Sequence, residues 1–280
     1  MEHYNLPGLF EKFYLVKKLI ELKENYPYIF RDNIEISSFY GSNGGVTNGA
    51  RCIGESHNEK EVSEFCKKHN IMPIITMTNL VVEKDEIPDA FAKSIISNFG
   101  NDAMYCVGNV HIEKWLESEG IGRGRFICTT TRCFSIPQLI RKADSYKRLV
   151  LSECYVNDWK AISSIPEAVR NKLDIIVNNA CPAHCEKRYE HYIHMSNAIL
   201  GRAKNFECAH PDYCGDGKFC ELIYHSPNVV TLPQIGAYIG LGIDHFKIRG
   251  RSNGDADLIE TFAYYLVKPE YQLFFRQYFY

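Results

Sequence analysis

Short apolar, β-branched runs alternate with longer amphipathic stretches along this sequence. That alternation constrains the fold more than any other feature, because two parallel strands need a crossover of a dozen or more residues between them, usually a helix. The runs that read as strands are Ile34 to Tyr40, Ile71 to Met77, Ala103 to Val107, Arg125 to Thr130, Arg148 to Ser152, Leu173 to Val177, Val229 to Leu232 and His245 to Ile248. Helical periodicity covers Glu59 to His69, Asp89 to Asn98, His111 to Glu119, Ile136 to Lys142, Pro166 to Lys172, His184 to Leu200, Gln234 to Leu241 and Asp255 to Leu266.

Eight strands separated by helices predict an α/β fold, a (β/α)8 TIM-type barrel. Leu9 to Lys23 reads as an extra N-terminal helix, residues 181–220 as a cysteine-rich insertion after the sixth strand, and Tyr271 to Tyr280 as an aromatic C-terminal tail. An open doubly wound sheet is the alternative, and both folds bring ligands to the carboxyl ends of the strands. The 280 residues suit one barrel, and with no Pro-, Gly- or Ser-rich linker they read as a single domain, 1–280.

With 45% hydrophobic and 24% charged residues, the composition excludes a disordered chain. A formal net charge of -2 argues against a broad basic field, although a local basic groove would leave nucleic acid open as a partner. Glu and Lys interrupt every apolar stretch from Met1 to Asn25, and no spanning run occurs later, so the expectation is a cytoplasmic protein with no membrane segment. Eleven cysteines, an odd number, fit reduced thiols and metal binding better than a disulfide framework.

The loops after the strands are polar: Gly41 to Gly45, Thr78-Asn79, Gly108-Asn109, Thr129 to Thr131, Ser152-Glu153, Asn178-Asn179 and Arg249 to Arg251. Together they offer small donors, one acid and two arginines to a polar or anionic ligand; any one of them alone is equally an ordinary turn. Gly120 to Gly124 precedes a strand instead of joining a strand to a helix, so it is not a nucleotide loop, and no Walker loop, HExxH helix or nucleophile elbow occurs.

The strongest local signal is Asn178-Asn179-Ala180-Cys181-Pro182-Ala183-His184-Cys185, followed by Arg188, His191 and Tyr192. Pro182 suits a first helical position, which would put Cys181 at the cap and Cys185 one turn on, both as thiolates. Cys208, Cys214 and Cys220 follow at intervals of six in a Gly- and Pro-containing segment. Soft thiolates suit zinc or an iron-sulfur cluster; His184, His191, His194 and His210 are potential substitutes for a thiolate in a zinc site. Arg188 and His191 share a helical face directed at the barrel mouth. Cys52, Cys66, Cys106, Cys128, Cys133 and Cys154 stand singly and read as core or wall thiols, with Cys154, next to Glu153, the closest to a pocket.

Two patches, the cysteine pair with its Arg188, His191 and Tyr192, and Gly242-Ile243-Asp244-His245-Phe246-Lys247-Ile248-Arg249-Gly250-Arg251, carry a resemblance. There the sequence resembles the collagenase-like peptidase family, whose barrel members include the oxygen-independent hydroxylases of ubiquinone and transfer-RNA biosynthesis. The resemblance implies a four-iron, four-sulfur (4Fe-4S) cluster with Cys181 and Cys185 as ligands and two of Cys208, Cys214 and Cys220 completing it. Cys214 is favoured over Cys220, which enters the apolar run Leu222-Ile223-Tyr224. The chain departs from the hydroxylases in its more closely spaced first cysteine pair and in carrying Arg249 where they usually have Glu.

The leading expectation is therefore an iron-sulfur barrel enzyme acting on a small or conjugated substrate, by oxygen-independent hydroxylation or a related modification. In it Cys181, Cys185, Cys208 and Cys214 hold the metal, Asn178 and Asn179 contact the cofactor, and Glu153, Arg188, His191 and Arg251 surround the substrate. One alternative is a zinc-dependent, peptidase-like hydrolase with Glu153 as general base. The other is a non-catalytic, metal-stapled binding protein whose aromatic tail meets a protein partner or second subunit; packing of that tail on the N-terminal helix is the intramolecular counterpart.

Overall fold

The computed structural model describes residues 1–42, 44–49, 58–204, 206, 208, 219, 221, 223, 226–251 and 253–280. Eight parallel strands close into a barrel in sequence order. They are β1 Glu2–Pro7, β2 Ile34–Gly41, β3 Met72–Met77, β4 Met104–Val107, β5 Phe126–Cys128, β6 Arg148–Val150, β7 Leu173–Ile176 and β8 His245–Lys247. Helices lie outside them, so the chain is a TIM-type barrel.

Strand parity splits the interior in two, because neighbouring residues of a strand face opposite sides of the sheet. Tyr4 and Leu6 of β1, Phe39 of β2 and Phe246 of β8 point outward into the large core shared with the helices. Tyr40, Ile74, Cys106, Ile127 and Val150 point inward and form a separate small apolar cluster inside the barrel. Below that cluster the barrel is polar. Arg148 Nε donates to Asp174 Oδ1 at 2.6 Å and its Nη2 to the Leu173 carbonyl at 2.7 Å, while His245 pairs in register with both Asp174 and His3. Burial, then the adjacent Arg148 guanidinium, push His245 well below the ordinary imidazole range.

Closure depends on β1, which pairs with β2 on one side and with β8 on the other. The strand is tied down from outside as well: Arg31 Nη2 donates to Glu2 Oε1 at 2.7 Å, Arg31 Nη1 to the Tyr265 carbonyl at 2.8 Å, and Tyr4 Oη to Glu2 Oε2 at 3.0 Å. Tyr265, on the helix Asp255–Leu266, donates in turn to the Val177 and Val230 carbonyls, each at 2.9 Å.

Four sequence expectations are corrected. The first strand is Glu2–Pro7, so the helix that follows, Phe13–Asn25, is not an extra element but belongs to the first βα unit, and the cysteine-rich segment follows the seventh strand. Val229 to Leu232 is not a strand. Val229 makes only an isolated antiparallel bridge to Asn178, and Thr231 with Gln234 forms a capping box that starts the helix Leu232–Gly240. The apolar character of Val229 and Val230 comes from burial beside the end of β7, where the Val230 amide donates to the Val177 carbonyl at 2.8 Å.

Pro182 does not open a helix either. Residues 181–187 are turns, and the helix begins at Arg188 and runs to Ile199. The aromatic tail packs within the molecule as a helix, Gln272–Phe279, that buries Phe275 and Phe279, sets Phe274 edge-on against Tyr26 at 5.3 Å, and accepts at the Phe279 carbonyl a hydrogen bond from Lys18 Nζ at 3.3 Å. No described helix is long and apolar enough to cross a membrane.

The barrel floor supplies a stability test. Asp174 is 1% exposed, so Asp174→Ala strands the Arg148 guanidinium without its partner. Loss of one member of a buried pair costs about 3–5 kcal/mol, and equilibrium urea unfolding should show a fall of that size; an unchanged midpoint would mean that Arg148 has another anion to turn to.

Candidate functional site

A cavity of about 330 Å³ opens among the carboxyl ends of the strands, the end at which barrels of this type carry their sites. Its floor is Tyr40, Cys106 and Lys247, and its walls come from the loops after β3, β5, β6, β7 and β8. The lining holds Lys247, Arg188, Arg249 and Arg251 against one carboxylate, Glu153, among the described residues. Such an excess of cations favours an anionic ligand.

Arg188, at the first position of its helix, organises two loops at once. Its Nη1 stands 3.5 Å from Glu153 Oε2 and donates to Cys154 Sγ at 3.4 Å, while Nη2 donates to the Pro182 carbonyl. The Arg188 and Glu153 side chains are each 7% exposed, so this is a buried ion pair. Burial alone would lower the pKa of Arg188, but Glu153, Tyr192, Cys154 and Cys181 around it outweigh that and raise it. Tyr192, one helical turn on, donates to Glu153 Oε1 at 3.3 Å; burial and then Glu153 itself hold its phenol far above the usual range, so it remains a neutral donor. Glu153 Oε2 has no hydrogen bond among the described residues.

The β8 loop is fixed by two asparagines with different duties. Asn178 exchanges both ends of its amide with the Arg249 backbone, at 2.7 and 3.0 Å, is 2% exposed, and does not line the cavity. Asn179 does line it. Its Oδ1 accepts from Arg249 Nη1 at 2.7 Å and from the Cys181 amide at 3.2 Å, while its Nδ2 is buried with no partner among the described residues. Arg251 donates to Thr76 Oγ1 at 2.7 Å and stands 3.7 Å from Glu11 Oε1. On the opposite wall, Gly49 and Gly108 press on the Thr78 peptide so closely that a Cβ would fall 2.1 and 2.6 Å from its carbonyl atoms.

Cys181, Cys185 and Cys208 all line this cavity and are partly exposed; Cys214, Cys220 and His210 lie outside the described residues. Arg249 Nη1 is 4.0 Å from Cys181 Sγ. His191 lines the cavity with its ring stacked on Phe206 at 4.4 Å. Cys66, Cys106, Cys128 and Cys133 are buried, the last two against each other, and Cys52 lies outside the described residues. Cys106 nevertheless reaches the cavity floor.

The residue that sequence reading missed is Lys247. Its ammonium lies 4.0 Å from the Tyr40 ring centre and makes no hydrogen bond or ion pair with a described residue. Burial lowers its pKa, opposed by Cys106 and Asp174. The signal was the parity of the last strand: in His245-Phe246-Lys247 the one large apolar residue faces out, so both neighbours must face in.

No family model matches the sequence, and no curated protein matches it. Among solved structures it is similar to the U32 peptidase Mk0906, with a TM-score of 0.53 and 9% identity over 89% of this chain and 92% of that one. At that identity the likeness is one of fold alone.

The thiols divide into two populations that alkylation should separate. Burial pushes the Cys66 thiol up to about 12 and shields it, whereas Cys181 and Cys185 open on the cavity. Iodoacetamide at pH 8 on reduced, metal-free protein should label Cys181 and Cys185 in the native state and Cys66 only after denaturation, as read by peptide mass spectrometry. Equal labelling of all three would contradict the burial pattern.

Proposed function

We propose that this chain is a barrel enzyme that binds a small or conjugated anionic substrate in the mouth cavity and holds a four-iron, four-sulfur cluster beside it. The supporting observation is that three thiols, Cys181, Cys185 and Cys208, share one cavity with four cationic side chains and a buried carboxylate. The donor set fits such a cluster in kind: soft sulfur ligands, with the Arg249 guanidinium 4.0 Å from Cys181 Sγ to offset thiolate charge. Cys214 is the proposed fourth ligand. When bound, the cluster supplies electron transfer or an accessible iron next to the substrate.

The chain's own residues then bind and orient. Arg249 and Arg251 meet the anionic group from the β8 side, and the unpartnered Asn179 Nδ2 offers a directional donor. Glu153, held in place by Arg188 and Tyr192 and with an Oε2 that accepts no hydrogen bond among the described residues, is the group placed to take or return a proton. His191 closes the wall beside Arg188. Oxygen-independent hydroxylation or a related modification is the proposed reaction class, resting on the resemblance of the cysteine pair and of the β8 segment to the collagenase-like peptidase family, which includes such hydroxylases.

The likeness to a U32 peptidase favours one second reading, peptide-bond hydrolysis with a zinc ion on the thiols and Glu153 as base. Iron, zinc and acid-labile sulfide content with an ultraviolet-visible spectrum, on protein purified without oxygen, separates the two. Brown protein with about four irons and four sulfides, lost in Cys181→Ala and Cys185→Ala, is the expected result. Colourless protein with stoichiometric zinc would move the assignment to the hydrolase, and folded protein without metal would overturn both.

A further inference from the structure

Opposite the cavity, at the amino-terminal ends of the strands, His3, Asp244 and His245 bring one ligand atom each to within 4.8 Å of the others. We propose that these three residues form a second metal site, for a divalent transition ion of the zinc class, which clamps the seam where the barrel closes. His3 and His245 are register partners across β1 and β8, and their rings stack at 4.7 Å with 20° between planes. The Asp244 carboxylate sits between them, with Oδ2 at 4.0 Å from His3 Nε2 and Oδ1 at 3.7 Å from His245 Nε2. Two ligands each about 2.0–2.2 Å from a tetrahedral ion stand about 3.3–3.6 Å apart, so these side chains close on an ion by moving about 1 Å.

The tautomer of His3 is set for the purpose. Its Nδ1 lies 3.0 Å from Glu35 Oε2, and since a carboxylate only accepts, Nδ1 is the donor there and Nε2, toward Asp244, is the atom left for a metal. A carboxylate behind a ligand imidazole is the usual outer partner of a metal-bound histidine. His245 makes no hydrogen bond among the described residues, and its Nδ1 is buried without a partner there, so no described residue holds its ring by a hydrogen bond. Two imidazoles and one carboxylate suit zinc, cobalt or nickel; calcium and magnesium call for oxygen ligands throughout. Side-chain exposures of 24% for His3, 44% for Asp244 and 23% for His245 leave the ion a way in and a position open to water.

Cobalt(II) distinguishes this site from the thiols, because nitrogen and oxygen ligands give visible bands without the intense near-ultraviolet thiolate charge transfer. The full-length protein carrying Cys181→Ser and Cys185→Ser, reduced and freed of metal by chelator, is titrated with cobalt alone. The expected result is one equivalent bound without charge transfer, with a rise in melting temperature. Asp244→Asn or His3→Gln in the same background should weaken binding at least tenfold and abolish that rise, and Glu35→Gln should weaken it about tenfold. Circular dichroism confirms that each variant is folded; all three replace partly exposed side chains with near-isosteres. Absence of cobalt binding in the cysteine variant, or equal affinity in the Asp244 and His3 variants, would overturn the proposal.

Discussion

A parallel sheet has two unpaired edges until its first strand finds its last, and everything at the cavity depends on that meeting. Here it rests on three register pairs, His3 with His245, Tyr4 with Phe246 and Asn5 with Lys247. The pairing is short, so it is supported from outside. Arg31 gathers Glu2, Tyr4 and the Tyr265 carbonyl, linking β1 to the helix that follows β8. Without the seam, β2 and β8 would both be exposed edges, and Lys247 would lose the strand at its side.

The closed barrel is filled unevenly, and its chemistry follows from that. A thin apolar cluster around Tyr40, Ile74, Cys106, Ile127 and Val150 lies between a polar floor and a polar mouth. On the floor, charge is compensated internally by the Arg148–Asp174 pair. At the mouth it is compensated only in part: Arg188 pairs with Glu153, but among the described residues Lys247 meets only the Tyr40 ring face, and Asn179 Nδ2 and Glu153 Oε2 donate or accept no hydrogen bond. Buried polar groups left in that state cost stability and are kept where a ligand completes them.

Most strands were legible because each combined an apolar run with turn residues and a following amphipathic helix. β1 was not, since His3 and Asn5 face a polar interior and break the apolar pattern on which strand reading relies. Val229 and Val230 misled for the converse reason: a buried segment of loop looks like a strand until the capping chemistry of Thr231 and Gln234 is given its weight. At the site, Glu153, Arg188, His191, Arg251, Asn179 and three of the cysteines were named from loop position and residue type, and the fold brings them to one cavity. The duty of Asn178 was not readable, because a side chain that holds a neighbouring loop by its backbone leaves no mark in spacing. The helix expected from Pro182 fails because the turns of 181–187 are held from other elements, by Arg188 on the Pro182 carbonyl and Asn228 on that of Cys181.

Arg188 has one guanidinium and three obligations, to Glu153, Cys154 and Pro182. The loops after β6 and β7 are thereby a single mechanical part, although 25 residues of chain lie between Glu153 and Asn179 in the sequence. Transplanting either loop onto another barrel by itself would carry half of a lock without its key. A designer wishing to retarget this mouth has to exchange both loops together with the first turn of the helix that joins them.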